Sequence, residues 1–189
     1  MIARCLRVLG RLCGNRRGAL LVETAMTMPV LIAMVLGGVE VTRFVLLRQS
    51  LDRAATSVGD LVSQAPKVTE ADITNVFDAV QHVISPFEMN EKGLVIITCV
   101  GRTGVNAPHV NWQRTGAGTM SATSQVGAEG GDATIPAGFQ LSDGETAIVA
   151  EVYYQYEPLI FPKVFFSEEF YHRAYFRPRL APLDTIEAG

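Results

Sequence analysis

One carboxylate, Glu23, lies inside a long apolar segment of this 189-residue chain. Residues 19–39 read ALLVETAMTMPVLIAMVLGGV, and Glu23 is the only ionisable side chain among them. A charged group within a membrane-length helix costs about 2.5 to 3.5 kcal/mol on insertion scales, and such a group usually marks a functional site with a partner. Glu23 is therefore the first candidate functional residue, and its chemistry would be charge pairing in a low-dielectric environment.

Patterns typical of catalysis or metal binding are absent from the sequence. His82, His109 and His172 lie far apart, with no H-x-x-x-H spacing and no clustered cysteines. The glycines at 116 and 118 lack the third glycine and the strand-to-helix context of a phosphate loop, and no G-x-S-x-G motif occurs. We therefore expect no enzyme, no cofactor, no metal ion and no small-molecule substrate. An enzymatic function would need a site hidden in the long loop described below.

The apolar segment has the length of a membrane span. A helix over residues 19–39 rises roughly 30 Å at about 1.5 Å per residue, which matches the hydrocarbon thickness of a bilayer. Residues 1–18 carry five arginines and no acid, whereas the rest of the chain holds 11 basic and 19 acidic residues. The positive-inside bias predicts a cytoplasmic N-terminus and an exported remainder, which in a bacterium is periplasmic. The acidic exported part also disfavours nucleic-acid binding.

Two simpler interpretations of the N-terminus need comparison. A cleaved secretory signal has an apolar region of about 7 to 15 residues and an A-x-A cleavage site, whereas this apolar run is about twice as long and ends without such a site. A plain signal anchor would hold an outer domain at the membrane, and Glu23 would then be incidental. The first interpretation fits poorly, and the second stays open.

A further set of N-terminal residues carries a family resemblance: Arg17-Gly18, Val22-Glu23, Ala25, Pro29 and Glu40. This set resembles the N-terminus of type IV pilin-like proteins, and most of all the TadE-like minor pseudopilins of the tight-adherence (Tad/Flp) pilus system. The C-terminal residues 153–179, with an aromatic-proline turn before a closing strand and a basic tail, resemble the same family more moderately.

The resemblance implies cleavage by a prepilin peptidase on the cytoplasmic side, between Gly18 and Ala19. It also implies that Glu23, the fifth mature residue, pairs with the free N-terminal amine of a neighbouring subunit and so sets the register between subunits. Cleavage would create that positive charge on Ala19. Thr24 follows the acid where many major pilins have Tyr, which fits the minor pseudopilins better. The other partners implied are pilins or pseudopilins and the inner-membrane pilus assembly machinery.

The helix is predicted to continue to Gln64. Beyond residue 40, apolar residues recur at spacings of three and four, which is an a/d stripe. This stripe would pack on the chain's own domain or on neighbouring helices, and the pattern alone does not decide between them. The stripe residues are Phe44, Leu47, Leu51, Ala54, Val58 and Leu61.

The remaining chain predicts a small α+β unit. Thr69 as N-cap and Asp72 three residues later predict a second helix, which Pro86 terminates. Strands are predicted over residues 94–100, 109–114, 147–156 and 170–177, with Val110 and Trp112 alternating in the second. In the third strand, one face is predicted to hold Ile148, Ala150, Val152, Tyr154 and Tyr156. The predicted fold class is α+β and pilin-like: a long N-terminal transmembrane and amphipathic helix, a second helix, and a small antiparallel sheet of about four strands.

The predicted organisation has three parts: a cleaved basic leader (1–18), the long helix (19–64) and a periplasmic or extracellular α+β domain (65–189). Residues 115–144, rich in Gly, Ser, Thr and Ala, are predicted to form a long surface loop that is either a contact surface or a tolerated insertion. Cys5 and Cys13 fall in the leader, and Cys99 is predicted to be a buried structural thiol, with an intermolecular bridge as the less favoured alternative.

The sequence thus predicts a minor pseudopilin, processed by a prepilin peptidase, that takes part in assembly or initiation of a Tad/Flp-type pilus used in surface adhesion. The alternative is an uncleaved, signal-anchored periplasmic protein that binds an envelope partner.

Overall fold

The computed structural model describes residues 16–160, 162 and 167–187. Most of the predicted leader, with Cys5 and Cys13, lies outside these described residues. Within them, two helices precede a four-stranded antiparallel sheet, which confirms the predicted α+β class. The elements are α1 (Arg16–Gln64), α2 (Glu70–Ile84), β1 (Gly93–Gly101), β2 (His109–Gly116), β3 (Thr146–Tyr156) and β4 (Glu168–Phe176).

The long helix α1 runs without interruption for 49 residues, including Pro29. It is long and apolar enough to cross a membrane, with a mean hydropathy of 2.1 in its most apolar window, and only 11% of that window is buried. The first half of α1 therefore stands away from the rest of the fold. Its second half, beyond residue 40, packs against the sheet and α2.

A reciprocal pair of hydrogen bonds starts helix α2. The Thr69 side chain accepts from the backbone N–H of Asp72 at 3.2 Å, and the Asp72 carboxylate accepts from the backbone N–H of Thr69 at 3.0 Å. This capping box satisfies two amides that a helix start leaves without partners. The apolar side chains of Ile73, Val80 and Ile84 then face the core.

The sheet has the strand order β2-β1-β3-β4, and all neighbouring strands are antiparallel. Both helices cover one face of the sheet and close the main core. The predicted face of β3 is confirmed, because all five of its residues belong to that core: Ile148, Ala150, Val152, Tyr154 and Tyr156.

Strand β2 differs from its prediction in one respect. Alternation would put Val110 and Trp112 on the same face, yet Trp112 packs in the helix-side core and Val110 packs on the opposite face. The register explains the difference, because Cys99 pairs with Trp112 whereas Val100 pairs with Val110. Asn111 is thus an extra residue in β2, and such a bulge reverses the sidedness of the residues beyond it.

Helix α1 and strand β4 run side by side in the same direction. The ring of Phe44 contacts that of Phe170 near the start of β4, with centroids 5.0 Å apart. Gly59 lies against Phe176 at the end of β4, where a Cβ would come within 2.4 Å of the ring. The end of β3 and the start of β4 therefore lie at the same end of the domain as the apolar half of α1.

The other face of the sheet is covered by the long segment between β2 and β3. Val126 and Leu141 are buried there against Val100, Val110 and Val149. Most of the segment predicted as a surface loop (115–144) thus packs on the sheet through a few buried side chains. Residues 115 and 116 belong to β2, and the following segment packs on the sheet because that face is also apolar.

Candidate functional site

The predicted processing site lies at the beginning of α1. Gly18 and Ala19 are both helical, and Ala19 is exposed. A Cβ placed on Gly18 would have no heavy atom of the described residues within 4 Å, apart from its chain neighbours and the nearby backbone of the helix itself. The described residues therefore leave the Gly18–Ala19 peptide bond without tertiary packing over it.

Glu23 is exposed on the apolar half of α1. The helix around it displays large apolar side chains, with Leu20 66% and Met26 73% exposed. Among the residues that the structure describes, no salt bridge or hydrogen bond involves the Glu23 carboxylate. The neighbouring Thr24 hydroxyl donates to the carbonyl oxygen of Leu20 at 2.9 Å, so it is committed to the helix backbone. Glu23 is thus an exposed carboxylate on an apolar helix surface.

A second acid, Glu40, lies one residue beyond the apolar segment and is 1% exposed. Its Oε1 accepts hydrogen bonds from the Tyr156 hydroxyl and from the backbone N–H of Leu159 at 3.1 Å. Its Oε2 accepts from the backbone N–H of Ile160 at 2.9 Å. These three donors, which we call the Glu40 clamp, join α1 to the end of β3.

The clamp satisfies a group that would otherwise destabilise the fold. A buried carboxylate needs hydrogen-bond donors to offset its lost hydration, and bonds to a charged acceptor are stronger than neutral ones. Burial and the hydrogen bond to Glu40 raise the pKa of Tyr156 to about 12. The phenol therefore keeps its proton and remains a donor throughout the physiological pH range.

Sequence reasoning included Glu40 in the family resemblance and gave it no structural role. A local signal was nevertheless present, because Glu40 lies four residues before Phe44 and so continues the a/d stripe towards the membrane. An acid at a stripe position faces the core, and a core acid requires donors. Tyr156 was assigned to the core face of β3, and it is the one donor side chain in the clamp.

The stripe residues of α1 lie mainly under the chain's own sheet. Leu47, Leu51, Ala54 and Val58 are buried in the main core, and Phe44 packs against it edge-on to Tyr156 and Phe170. Leu61 is 49% exposed, whereas Val62 is buried. A straight α-helix has 3.6 residues per turn rather than 3.5, so the inward face drifts by one residue at the end of the stripe.

The opposite side of the same helix stretch stays exposed and apolar. Val41 is 52%, Val45 45% and Leu46 48% exposed. This row continues the apolar surface of the first half of α1 beyond residue 40. The row forms an outer face that the chain's own domain leaves uncovered.

A second buried carboxylate, Glu151 on β3, fixes the long segment to the other face of the sheet. It accepts hydrogen bonds from the Ser124 hydroxyl, from the Gln125 backbone N–H at 2.9 Å and from the Tyr171 hydroxyl at 2.8 Å. Burial raises the pKa of Tyr171 well above its ordinary value, so its hydroxyl remains a donor. Glu151 is thus a structural acid, and sequence reasoning did not single it out.

The three histidines are not brought together. His82 lies on α2, His109 begins β2 and His172 lies on β4. In the described ranges, no cluster of three or more His, Cys, Asp or Glu side chains could hold a metal ion. Cys99 is buried, and its thiol donates to the carbonyl oxygen of Leu183 at 3.1 Å.

Comparison with known proteins bears on the long helix. Residues 18–59 match the family model described as TadE-like protein. No curated protein and no solved structure matches the chain. The matched range begins at Gly18 and contains both Glu23 and Glu40. The N-terminal helix of this chain is thus similar to that of TadE-like proteins.

Proposed function

We propose that this chain is a TadE-like minor pseudopilin of a Tad/Flp-type pilus used in surface adhesion, and that it acts in assembly or initiation of the pilus. The match over residues 18–59 carries the proposal. The matched range coincides with an apolar helix surface that the chain itself leaves uncovered. Lipid or other helices would have to shield such a surface from water. No enzymatic step is part of this function.

In this proposal the chain crosses the bacterial inner membrane once. The arginine-rich residues 1–18 lie in the cytoplasm and are removed by a prepilin peptidase, which cleaves between Gly18 and Ala19. Residues 19–64 form the anchoring and packing helix, and residues 65–189 lie in the periplasm or, after incorporation into a pilus, outside the cell. The uncovered position of the Gly18–Ala19 bond among the described residues supports access for the peptidase.

Glu23 is proposed to register one subunit against the next. Cleavage would leave a positively charged amine on Ala19, and a carboxylate in an apolar environment is stabilised by such a partner. Ala19 and Glu23 are four residues apart, so pairing between two subunits would set their axial offset to about 6 Å at about 1.5 Å per residue. The exposed carboxylate of Glu23, on a helix side free of its own domain, supports this role.

The outer face of α1 is proposed to contact other pilins or pseudopilins, or the inner-membrane assembly machinery. The inward stripe is already covered by the sheet and α2, so it is unavailable to neighbouring helices. The exposed row at Val41, Val45 and Leu46 points away from the domain and prolongs the apolar surface of the span. Helix packing between subunits would bury this row.

The first experiment is to determine the mature N-terminus of the protein from its native membrane, by intact mass and N-terminal peptide mapping. A start at Ala19 is expected. A start at Met1, in cells whose peptidase is active, would contradict the proposal and favour an uncleaved signal anchor that binds an envelope partner.

The second experiment tests Glu23 with a matched control. Glu23→Ala is expected to leave membrane insertion intact and to reduce piliation and co-purification with partner subunits. Met26→Ala changes another exposed position three residues further along the helix and is expected to assemble normally. Normal piliation and co-purification of Glu23→Ala would show that Glu23 does not set the register between subunits.

A further inference from the structure

An open cleft of about 560 Å³ lies between α1, the α2–β1 loop and β3. The helix contributes Arg43 to its lining, the loop contributes Phe87 and Lys92, and the strand contributes Tyr154. Lys92 also forms a 2.7 Å salt bridge with Glu157, which follows the last residue of β3. The cleft is therefore at the end of the domain that carries the apolar half of α1, and all the residues that line it belong to the described part of the chain.

Two hydrogen-bond donors of this cleft have no acceptor among the described residues. The Nε of Arg43 is buried without a hydrogen bond, and its guanidinium lies over the ring of Phe87, 5.8 Å from the centroid. Tyr154 is only 6% exposed, yet its hydroxyl bonds to none of the described residues. Burial raises the pKa of Tyr154, and the nearby charges of Lys92 and Arg43 oppose that rise, so the hydroxyl lies near these basic side chains and keeps its proton. Because buried donors normally have acceptors, we expect the cleft to receive one.

The charges around the cleft define the ligand that would supply this acceptor. A guanidinium binds phosphate or carboxylate oxygens through charge-assisted hydrogen bonds, and a phenol can add one more. Two exposed acids, Glu88 and Glu91, also line the cleft, and they would repel a ligand that carries only negative charge. A zwitterion avoids this repulsion, because its anionic group can face Arg43 while its cationic group faces the acids.

The position of the cleft along α1 favours a phospholipid headgroup as that zwitterion. Arg43 is four residues beyond Val39, the last residue of the apolar run, which is about 6 Å at about 1.5 Å per residue. The headgroup region extends about 5 to 8 Å beyond the hydrocarbon on each side of a bilayer. When α1 spans the membrane, Arg43 is thus level with the lipid phosphates, where basic side chains and aromatic rings are common.

We propose that this cleft binds the headgroup of a zwitterionic phospholipid in the outer leaflet of the inner membrane. The phosphate oxygens accept hydrogen bonds from the Arg43 guanidinium and the Tyr154 hydroxyl, and the headgroup ammonium lies beside Glu88 or Glu91. This inference rests on the proposed membrane placement of α1 and goes beyond it. A lipid bound there would join the helix, the α2–β1 loop and β3 at the bilayer surface, and so would hold the domain in one orientation to the membrane.

The test measures lipid binding to the full-length protein in detergent micelles by native mass spectrometry during a titration with phosphatidylethanolamine. Arg43→Gln and Tyr154→Phe each remove one of the two donors and keep most of the side chain. Arg53→Gln is the matched control, because Arg53 is exposed on the same helix ten residues further from the apolar run and does not line the cleft. Diacylglycerol with the same acyl chains and soluble phosphoethanolamine separate the contributions of tail and headgroup.

The unaltered protein and Arg53→Gln are expected to retain one phosphatidylethanolamine per chain and to bind both diacylglycerol and soluble phosphoethanolamine much more weakly. Each cleft variant is expected to bind phosphatidylethanolamine about tenfold more weakly or worse, because it loses a hydrogen bond to a charged acceptor. Circular dichroism checks that each variant is folded, and the use of two variants keeps the test decisive if one of them is not.

Equal phosphatidylethanolamine affinity in the unaltered protein and both cleft variants would overturn the inference. Soluble phosphoethanolamine bound as tightly as the lipid would assign the cleft to a soluble phosphate ester and would overturn the membrane source. Loss of a partner subunit from the cleft variants, without any change in lipid binding, would assign the cleft to a protein contact and would also overturn it. Flotation with phosphatidylcholine vesicles tests α1 separately: if the unaltered protein does not float, the proposed anchor itself is contradicted.

Discussion

The hydroxyl of Tyr156 donates a hydrogen bond to the buried carboxylate of Glu40, 116 residues earlier in the chain. Glu40 lies within the TadE-like match, whereas Tyr156 lies in the sheet beyond it. The bond therefore joins the helix that matches the family model to a part of the chain that no comparison matches. It does so directly beyond the apolar segment of α1.

Replacing Tyr156 with Phe is expected to lower the free energy of unfolding by about 1.5 to 3 kcal/mol. The change removes one hydrogen bond to a charged acceptor and leaves a buried carboxylate with two backbone donors. Tyr175→Phe is the matched control, since the Tyr175 hydroxyl is buried without a hydrogen-bond partner among the described residues. Denaturant unfolding in detergent, followed by circular dichroism, measures both. An equal loss in the two variants would show that the clamp contributes no specific stability.

Replacing Glu151 with Gln is expected to destabilise the fold by about 1.5 to 3 kcal/mol and to loosen residues 117–145 from the sheet. The new side-chain amide would point its NH₂ donor at two hydroxyls and a backbone N–H, which in the native protein all donate to the Glu151 carboxylate. Limited proteolysis with mass mapping measures the effect as faster cleavage within that segment. Glu129→Gln is the control, because its exposed salt bridge to Arg114 is worth about 0 to 1 kcal/mol. Unchanged cleavage in Glu151→Gln would show that the packing of this segment on the sheet does not depend on the carboxylate.

The sequence was sufficient wherever a local pattern determines the structure. The apolar run and stripe predicted α1 up to Gln64, and the Thr69–Asp72 spacing predicted the capping box that starts α2. The alternation of β3 identified its core face. Each of these depends on residues within a few positions of one another, so periodicity and capping preferences carry enough information.

The sequence was insufficient where the partner lies far away in the chain. The donors that surround Glu40 come 116 to 120 residues later, and two of them are backbone amides that leave no mark on the sequence. The segment that covers the second sheet face has no periodicity, because it packs through scattered side chains such as Val126 and Leu141. The bulge at Asn111 changes the sidedness of β2 for a reason that only the pairing register reveals.

Cys99 is expected to resist alkylation in the folded protein. Burial raises the pKa of its thiol to about 12, so the thiolate amounts to roughly one part in ten thousand at pH 8. Labelling with a maleimide, followed by mass mapping, should modify Cys99 only after unfolding and should yield no intermolecular disulfide through it. Val105→Cys, at a position 95% exposed, serves as the reactive control. Rapid labelling of Cys99 under native conditions would contradict the buried structural role.

The stability of the domain is expected to fall as the pH drops below the ordinary pKa of histidine, about 6.5, through His172. Burial on β4 against α1 lowers the pKa of His172, the Asp52 carboxylate 3.9 Å away partly opposes that effect, and Arg48 adds to it. The folded form thus binds this proton less readily than the unfolded form. The stability that neutral His172 contributes is therefore full above about pH 6.5 and is lost as the pH falls through the folded-state pKa.

Replacing Asp52 with Asn is expected to lower the pKa of His172 further, because it removes the carboxylate that favours the imidazolium. A nuclear magnetic resonance titration of the imidazole proton, assigned with His172→Gln, measures the shift. Asp78→Asn, an exposed change on α2, is the control and should leave the His172 titration unaltered. A raised or unchanged pKa in Asp52→Asn would mean that the Asp52 side chain does not act on His172 across the α1–β4 contact.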